Sequence, residues 1–266
     1  MKKILSALLS VALLIVLAAT SSSAQDGARI HLIHGIPDTD VDVEAGGANV
    51  IEGFSFGDTE DLSALAGATL EGLKVKAAGT DTVAIDAGDV ALPGSGNFTV
   101  IAHLDADGNP ALAVFENDTS TTAAGQGRLT VRHAAAAPAV DVLANGAAAF
   151  SNVSNGEGGS ADLDVGTISA EVVPTGATEP VVIGPADLGI TDGSHLIVYA
   201  VGSLDAGNLS VLTESISGLG TAPTAVNTGN SPVGSDSGLP VLLTVFGALG
   251  LLGVAMAGAR LVRSRG

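Results

Sequence analysis

The sequence predicts an all-β protein with two tandem domains and one C-terminal transmembrane helix. Three observations predict it. The stretch "HGIPDTDVDV" (His34–Val43) returns 99 positions later as "HAAAAPAVDV" (His133–Val142). Short β-branched runs such as "RLTVRHA", "PVVIG" and "HLIVYAVG" are punctuated by Asn-Gly, Asp-Gly and Thr-Gly, which suit hairpin turns. Both ends of the chain carry an apolar run beside basic residues. Roughly seven strands in about 95 residues match the size of an immunoglobulin-like β-sandwich, so two such sandwiches are expected.

The N-terminal run opens with Lys2 and Lys3, continues apolar from Ile4 to Ala19 and ends in Thr20-Ser-Ser-Ser-Ala24. A basic start, an apolar centre and small residues at Ser22 and Ala24 predict a secretory signal peptide over 1–24. Leu239–Ala259 is uncharged for 21 residues and is followed by Arg260, Arg263 and Arg265. At 1.5 Å per residue this crosses a hydrocarbon core of about 30 Å. The arginines belong on the cytoplasmic side, so the expected partner of the tail is the membrane and the rest of the chain lies outside the cell. "LPVLLTV" (Leu239–Val245) lacks the Thr-Gly that sorting to a cell wall requires, which favours a retained anchor.

Between these ends, five basic residues face all 28 acidic ones, a formal charge of −23 for residues 25–238. Such a surface makes nucleic acid and anionic lipid poor partners. It suits solubility, divalent cations or basic ligands. Cysteine and tryptophan are absent and aromatics are 3%. The domains must then hold by aliphatic packing and backbone pairing, without disulfides, and they offer few rings for stacking sugars or bases.

The repeat runs without a gap from Arg29 to Gly57, with matches that include Arg29/Arg128, Asp42/Asp141, Gly47/Gly146 and Gly57/Gly156. Further on the register shifts by two, laying Gly96 over Gly193. Two tandem copies follow. In "LKVKAAG" (Leu73–Gly79), apolar and lysine positions alternate as in a strand with one wet face. "EDLSALAG" (Glu60–Gly67) has room for a helical turn or two. The expected boundaries are a first domain at 25–120, a linker at 121–126 and a second domain at 127–217. A Gly/Pro/Ser/Thr-rich stalk at 218–238 is too poor in apolar residues to fold. The span at 239–259 and a basic cytoplasmic tail at 260–266 complete the chain.

"ARIHLIHGIPDTDVDVEAGG" and "GRLTVRHAAAAPAVDVLANG" resemble the opening of the DUF4397 family: a strand, a His, a variable loop, then Val-Asp-Val before a Gly turn. The likeness covers most of residues 28–217. It implies an exported or surface protein and, because the family's function is unknown, supplies no catalytic residue. The second copy replaces the loop's Pro and Asp with Ala.

The candidate sites are few. His34/Asp42 and His133/Asp141 recur at one spacing, and such a pair could serve as a base or hold a metal. No G-x-S-x-G elbow or cysteine supplies a nucleophile. The structural reading is that each His closes a strand by bonding loop carbonyls while each Asp accepts backbone N–H groups. Asp38, Asp40 and Asp42, and likewise Asp105, Asp107 and Asn109, place oxygens at alternate positions as a calcium loop does. Neither set has the acidic residue that closes such a loop, and the second copy lacks the triple Asp. No other cofactor is expected. The sequence therefore predicts a non-enzymatic, membrane-anchored surface protein whose role is binding, adhesion or envelope structure, toward an extracellular protein or polymer. The rivals are a hydrolase or metal enzyme using the His/Asp pairs, and a calcium-stiffened stalk.

Overall fold

The structure is a computed structural model that describes residues 27–220. The expected leader, most of the stalk, the membrane span and the basic tail lie outside the described residues. The first half contains β1 (Arg29–His34), β2 (Val41–Ala45), β3 (Ala48–Phe54), β4 (Thr59–Asp61), β5 (Thr69–Ala77), β6 (Val83–Ala91), β7 (Asn97–Leu104) and β8 (Pro110–Glu116). The second half repeats them as β9 (Gln126–Ala136), β10 (Val140–Ala144), β11 (Ala147–Val153), β12 (Gly158–Asp164), β13 (Gly166–Pro174), β14 (Ile183–Ile190), β15 (Ser194–Ser203) and β16 (Ser210–Ser217). One 3-10 turn, Ser63–Leu65, occupies the stretch with short helical character.

Each half is a sandwich of two four-stranded sheets. The orders are β4-β1-β7-β8 over β3-β2-β5-β6, and β12-β9-β15-β16 over β11-β10-β13-β14. The all-β sandwich expectation holds, but the strand order differs from the immunoglobulin arrangement, in which strands 1, 2, 5 and 4 share one sheet. Here the chain leaves the first sheet after β1, so β1 pairs with β7 in parallel and β2 begins the opposite sheet. The parallel register also corrects the sequence alignment. Ile30 pairs with Phe98 and Leu129 with Leu196, so β7 and β15 correspond at an offset of 98. A one-residue error exchanges the two faces of a strand. Val100 corresponds to Val198, inside its own sandwich, and Ile101 corresponds to Tyr199 on the other face.

That other face explains why these strands are apolar on both sides. Ile30, Leu32, Val100 and Ala102 pack against the partner sheet of the first sandwich. Leu129, Val131 and Val198 do the same in the second. The alternate residues Ile33, Ile101, Ala134, Ile197, Tyr199 and Val201 form a third core shared by both halves. The two parallel-paired sheets are thus the inner layers of a four-layer stack, and strands buried on both faces read as continuous apolar runs. All described residues belong to one compact unit. Thr122, in the expected linker, is buried, and its N–H donates to the carbonyl of Leu219 at 2.8 Å.

Polar groups within the shared face are satisfied. The buried Arg132 guanidinium lies 4.4 Å from the ring centroid of Phe115 and donates to the Tyr199 hydroxyl (2.9 Å), the Glu116 carbonyl and the Asn117 amide oxygen. Tyr199 and Thr99 both donate to Oε2 of Glu214, at 3.1 and 2.7 Å, while His31 bonds Oε1 at 2.6 Å. Burial pushes the Tyr199 phenol well above its ordinary range, so it stays a donor. Each such bond contributes about 1 kcal/mol net, but orphaning one partner costs about 1–3 kcal/mol.

Tyr199 is the sole tyrosine in a chain without tryptophan, so its near-ultraviolet signal reports the shared face. Unfolding a 27–220 fragment in urea should give the same midpoint by that signal and by far-ultraviolet circular dichroism. Two separated midpoints would mean that the sandwiches unfold independently. Tyr199→Phe, followed by far-ultraviolet circular dichroism alone, should lower stability by about 1–3 kcal/mol.

Candidate functional site

The repeated His and Asp residues lie in the described part and make the same bonds in both halves. His34 Nε2 donates to the Thr39 carbonyl (2.8 Å), and its Nδ1 accepts the Ile36 N–H (3.3 Å). His133 Nε2 donates to the Pro138 carbonyl (3.1 Å), and its Nδ1 accepts the Ala135 N–H (3.3 Å). Each imidazole therefore spans the loop between the first and second strands of its sandwich. Every partner is backbone, so the loop can read Gly-Ile-Pro-Asp in one copy and Ala-Ala-Ala-Ala in the other. Burial lowers the pKa of both imidazoles, keeping them neutral with one donor and one acceptor nitrogen.

Asp42 Oδ1 accepts the Gly53 N–H at 2.8 Å and Oδ2 accepts the Gly79 N–H at 2.9 Å. Asp141 Oδ1 accepts the Asn152 N–H at 2.7 Å and Oδ2 accepts the Gly176 N–H at 2.9 Å. These amides hold both carboxyls below the usual aspartate range. Gly53 and Asn152 occupy the left-handed region at φ of 64° and 54°. Glycine and asparagine both adopt this region readily, so either can stand there. His and Asp do not meet as a pair. Each is a separate clamp on backbone.

The calcium candidates are dispersed. Asp38 accepts a bond from Asn208 Nδ2 at 3.0 Å, across from the second half, and Asp40 is exposed. Asp105 accepts the backbone N–H groups of Asp107 and Asn109 at 2.9 and 2.8 Å and so closes its own turn. Among the described residues no three His, Cys, Asp or Glu side chains converge as metal ligands.

A cavity of about 520 Å³, which the aliphatic pattern of the sequence does not reveal, lies between the two sheets of the first sandwich. Its volume lies within the 300–1,000 Å³ typical of small-molecule pockets. Leu32, Val43, Leu73, Val75 and Val100 form its walls, and Phe54 is its only aromatic residue. The mouth is apolar too. Val50, Val114 and Leu65 are exposed to 59%, 53% and 41%, and all three line the cavity. One carboxylate, Glu60, sits among them. It has no hydrogen-bond or ion-pair partner among the described residues, and none of the five basic residues of 25–238 joins the lining.

The second sandwich solves the same packing problem differently. Ile51 pairs with Val43, and its counterpart Phe150 pairs with Val142. Glu60 pairs with Leu32, and its counterpart Gly159 pairs with Val131. Phe150 packs into the second core, and a Cβ on Gly159 would lie 2.3 Å from its ring. A ring thus fills the second sandwich where an aliphatic residue and a rim carboxylate leave the first one open. In the sequence the difference is carried by two columns of the repeat, Ile51/Phe150 and Glu60/Gly159, among many other substitutions.

Fold and site together define a tandem β-sandwich protein with a ligand-sized apolar cavity in its first half. Residues 28–143 match the family described as a domain of unknown function, DUF4397. The match covers the whole first sandwich and ends in β10. No curated protein matches the chain.

The clamps set an acid dependence. His34, His103, His133 and His195 all have pKa values lowered by burial from 6.5, so only the unfolded chain takes up protons just below that pH. Stability should therefore fall as pH drops from about 6.5. The Asp42 and Asp141 contribution, full above the ordinary value of 3.8, should be lost at still lower pH. Thermal melts between pH 7 and 3 test this. Replacing His34 and His133 by Ala should flatten the upper limb and cost about 1–3 kcal/mol per orphaned backbone group.

Proposed function

We propose that this protein is a non-enzymatic binding protein of the cell surface, exported by its leader, anchored by its C-terminal span, and loaded through the first sandwich with a small apolar ligand. One observation carries the reading. The first sandwich keeps open a cavity of about 520 Å³ that its own sequence repeat closes with Phe150. An apolar void lined by aliphatic side chains forgoes dispersion contacts and destabilises a core by a few kcal/mol, depending on how far it collapses. A ligand recovers those contacts. The backbone engagement of the repeated His and Asp side chains supports reading them as architecture. The strand-for-strand correspondence of the halves supports a second DUF4397 copy.

Uptake of the neutral apolar dye N-phenyl-1-naphthylamine by the 27–220 fragment tests this. Its fluorescence should rise and saturate at one dye per chain. The double variant Ile51→Phe/Glu60→Gly, which imports the packing of the second sandwich, should abolish uptake and raise the melting temperature. Val114→Asp, at an exposed rim position, should weaken uptake without disturbing the fold. Wild-type fragment that leaves the dye dark, or uptake that survives in both variants, would overturn the reading.

A further inference from the structure

Resting on that reading, we infer that the ligand is a single-chain amphiphile: an unbranched alkyl chain inside the cavity and a head group that donates hydrogen bonds or carries positive charge, held at Glu60. The walls are aliphatic apart from Phe54, so they offer dispersion contact along a chain but almost no aromatic face for a ring to stack on. The mouth fixes the other end. Glu60 occupies a position in β4 opposite Leu32, whose side chain faces the interior, so the two side chains leave the sheet on the same side.

Glu60 is the polar exception in a ring of exposed apolar residues, and its counterpart Gly159 shows that the fold does not require a carboxylate there. An ionised carboxylate beside apolar surface and without a partner is complementary to an ammonium or amide N–H, and it repels a second carboxylate. Four of the five basic residues are engaged elsewhere, and Arg29 leaves β1 on the face opposite Leu32, where its charge acts on Asp61. Lys74 and Lys76 pair with Glu44, and Arg128 pairs with Asp118 and Asp162. Arg132 is enclosed between the halves. A fatty acid would bring its negative head against Glu60 in a protein whose residues 25–238 together carry −23, so the cavity selects against it although its chain fits. Exposed Val50, Leu65 and Val114 would cover the first methylenes below the head.

Displacement of the bound dye by decylamine, decanol and decanoate at pH 7 tests the head group. Decylamine should displace at least tenfold more tightly than decanoate, with decanol between. Lengthening the amine from eight to ten carbons should tighten displacement by about fourfold per methylene. The acidic surface at large also favours cations, so Glu60→Gln separates the two effects. This variant should keep dye uptake and bring the amine and carboxylate within about twofold of each other. Glu60→Lys should invert the preference.

Equal displacement by decylamine and decanoate in the wild-type fragment, or an amine preference unchanged in Glu60→Gln, would overturn the inference while leaving cavity binding intact. Absence of dye uptake would instead overturn the underlying reading. Sedimentation at the same concentrations covers the other occupants. A fragment dimer that excludes the dye would make the rim an interface between copies. A full-length chain in nanodiscs that excludes the dye would give the cavity to its own apolar tail. Either result refutes the amphiphile.

Discussion

The structure depends on one apolar face that neither half owns alone. Ile33 and Ile101 from the first sandwich meet Ile197, Tyr199 and Val201 from the second, each nearly devoid of solvent contact. Exposed singly, either inner sheet would present a continuous hydrophobic surface of the kind that drives association. Buried together, the two sheets let a chain without disulfides and with few aromatic residues build three stacked cores from aliphatic side chains. At about 25 cal/mol per Å² of apolar area, such layers supply the main stabilising term.

The duplicated clamps work at the next level down. Each sandwich must send its chain from one sheet to the other directly after the first strand, a crossing that leaves loop amides and carbonyls without a ladder partner. A buried imidazole with one donor and one acceptor nitrogen closes that loop, and a carboxylate closes two left-handed turns beyond it. Because these partners are backbone groups, the loop side chains are free to vary. The constancy of His and Asp beside such variable neighbours is the signature of a backbone clamp.

Much of this was legible in the sequence. The 99-residue echo shows the duplication, and "LKVKAAG", "RLTVRHA" and "HLIVYAVG" fall on β5, β9 and β15. The His34 and Asp42 positions also stand out before any geometry is known. Strand order was not legible, because the parallel pairing of β1 with β7 joins segments far apart and leaves no local mark. The slip in aligning Gly96 with Gly193 had a related origin. Val100 and Ile101 are both apolar, so alternation could not say which one faced inward. The cavity was hidden for a simpler reason: Leu, Val and Ile read as core whether the space between them is filled or empty. Only comparison of Ile51 with Phe150, and of Glu60 with Gly159, distinguishes the two cases.

The shared face has a further consequence for how such a pair can change. Corresponding positions there carry unlike residues: Ile33 against Arg132, Ile101 against Tyr199, Phe115 against Glu214. In a symmetric homodimer, every substitution appears on both sides of the axis, and an isolated arginine or glutamate would be doubled. Tethering the halves in one polypeptide lifts that symmetry requirement. The Arg132 guanidinium and the Glu214 carboxylate both come from the second half and hold Glu116, Asn117, His31 and Thr99 of the first, so the two halves are no longer interchangeable, and a chain assembled from two first halves would lack both.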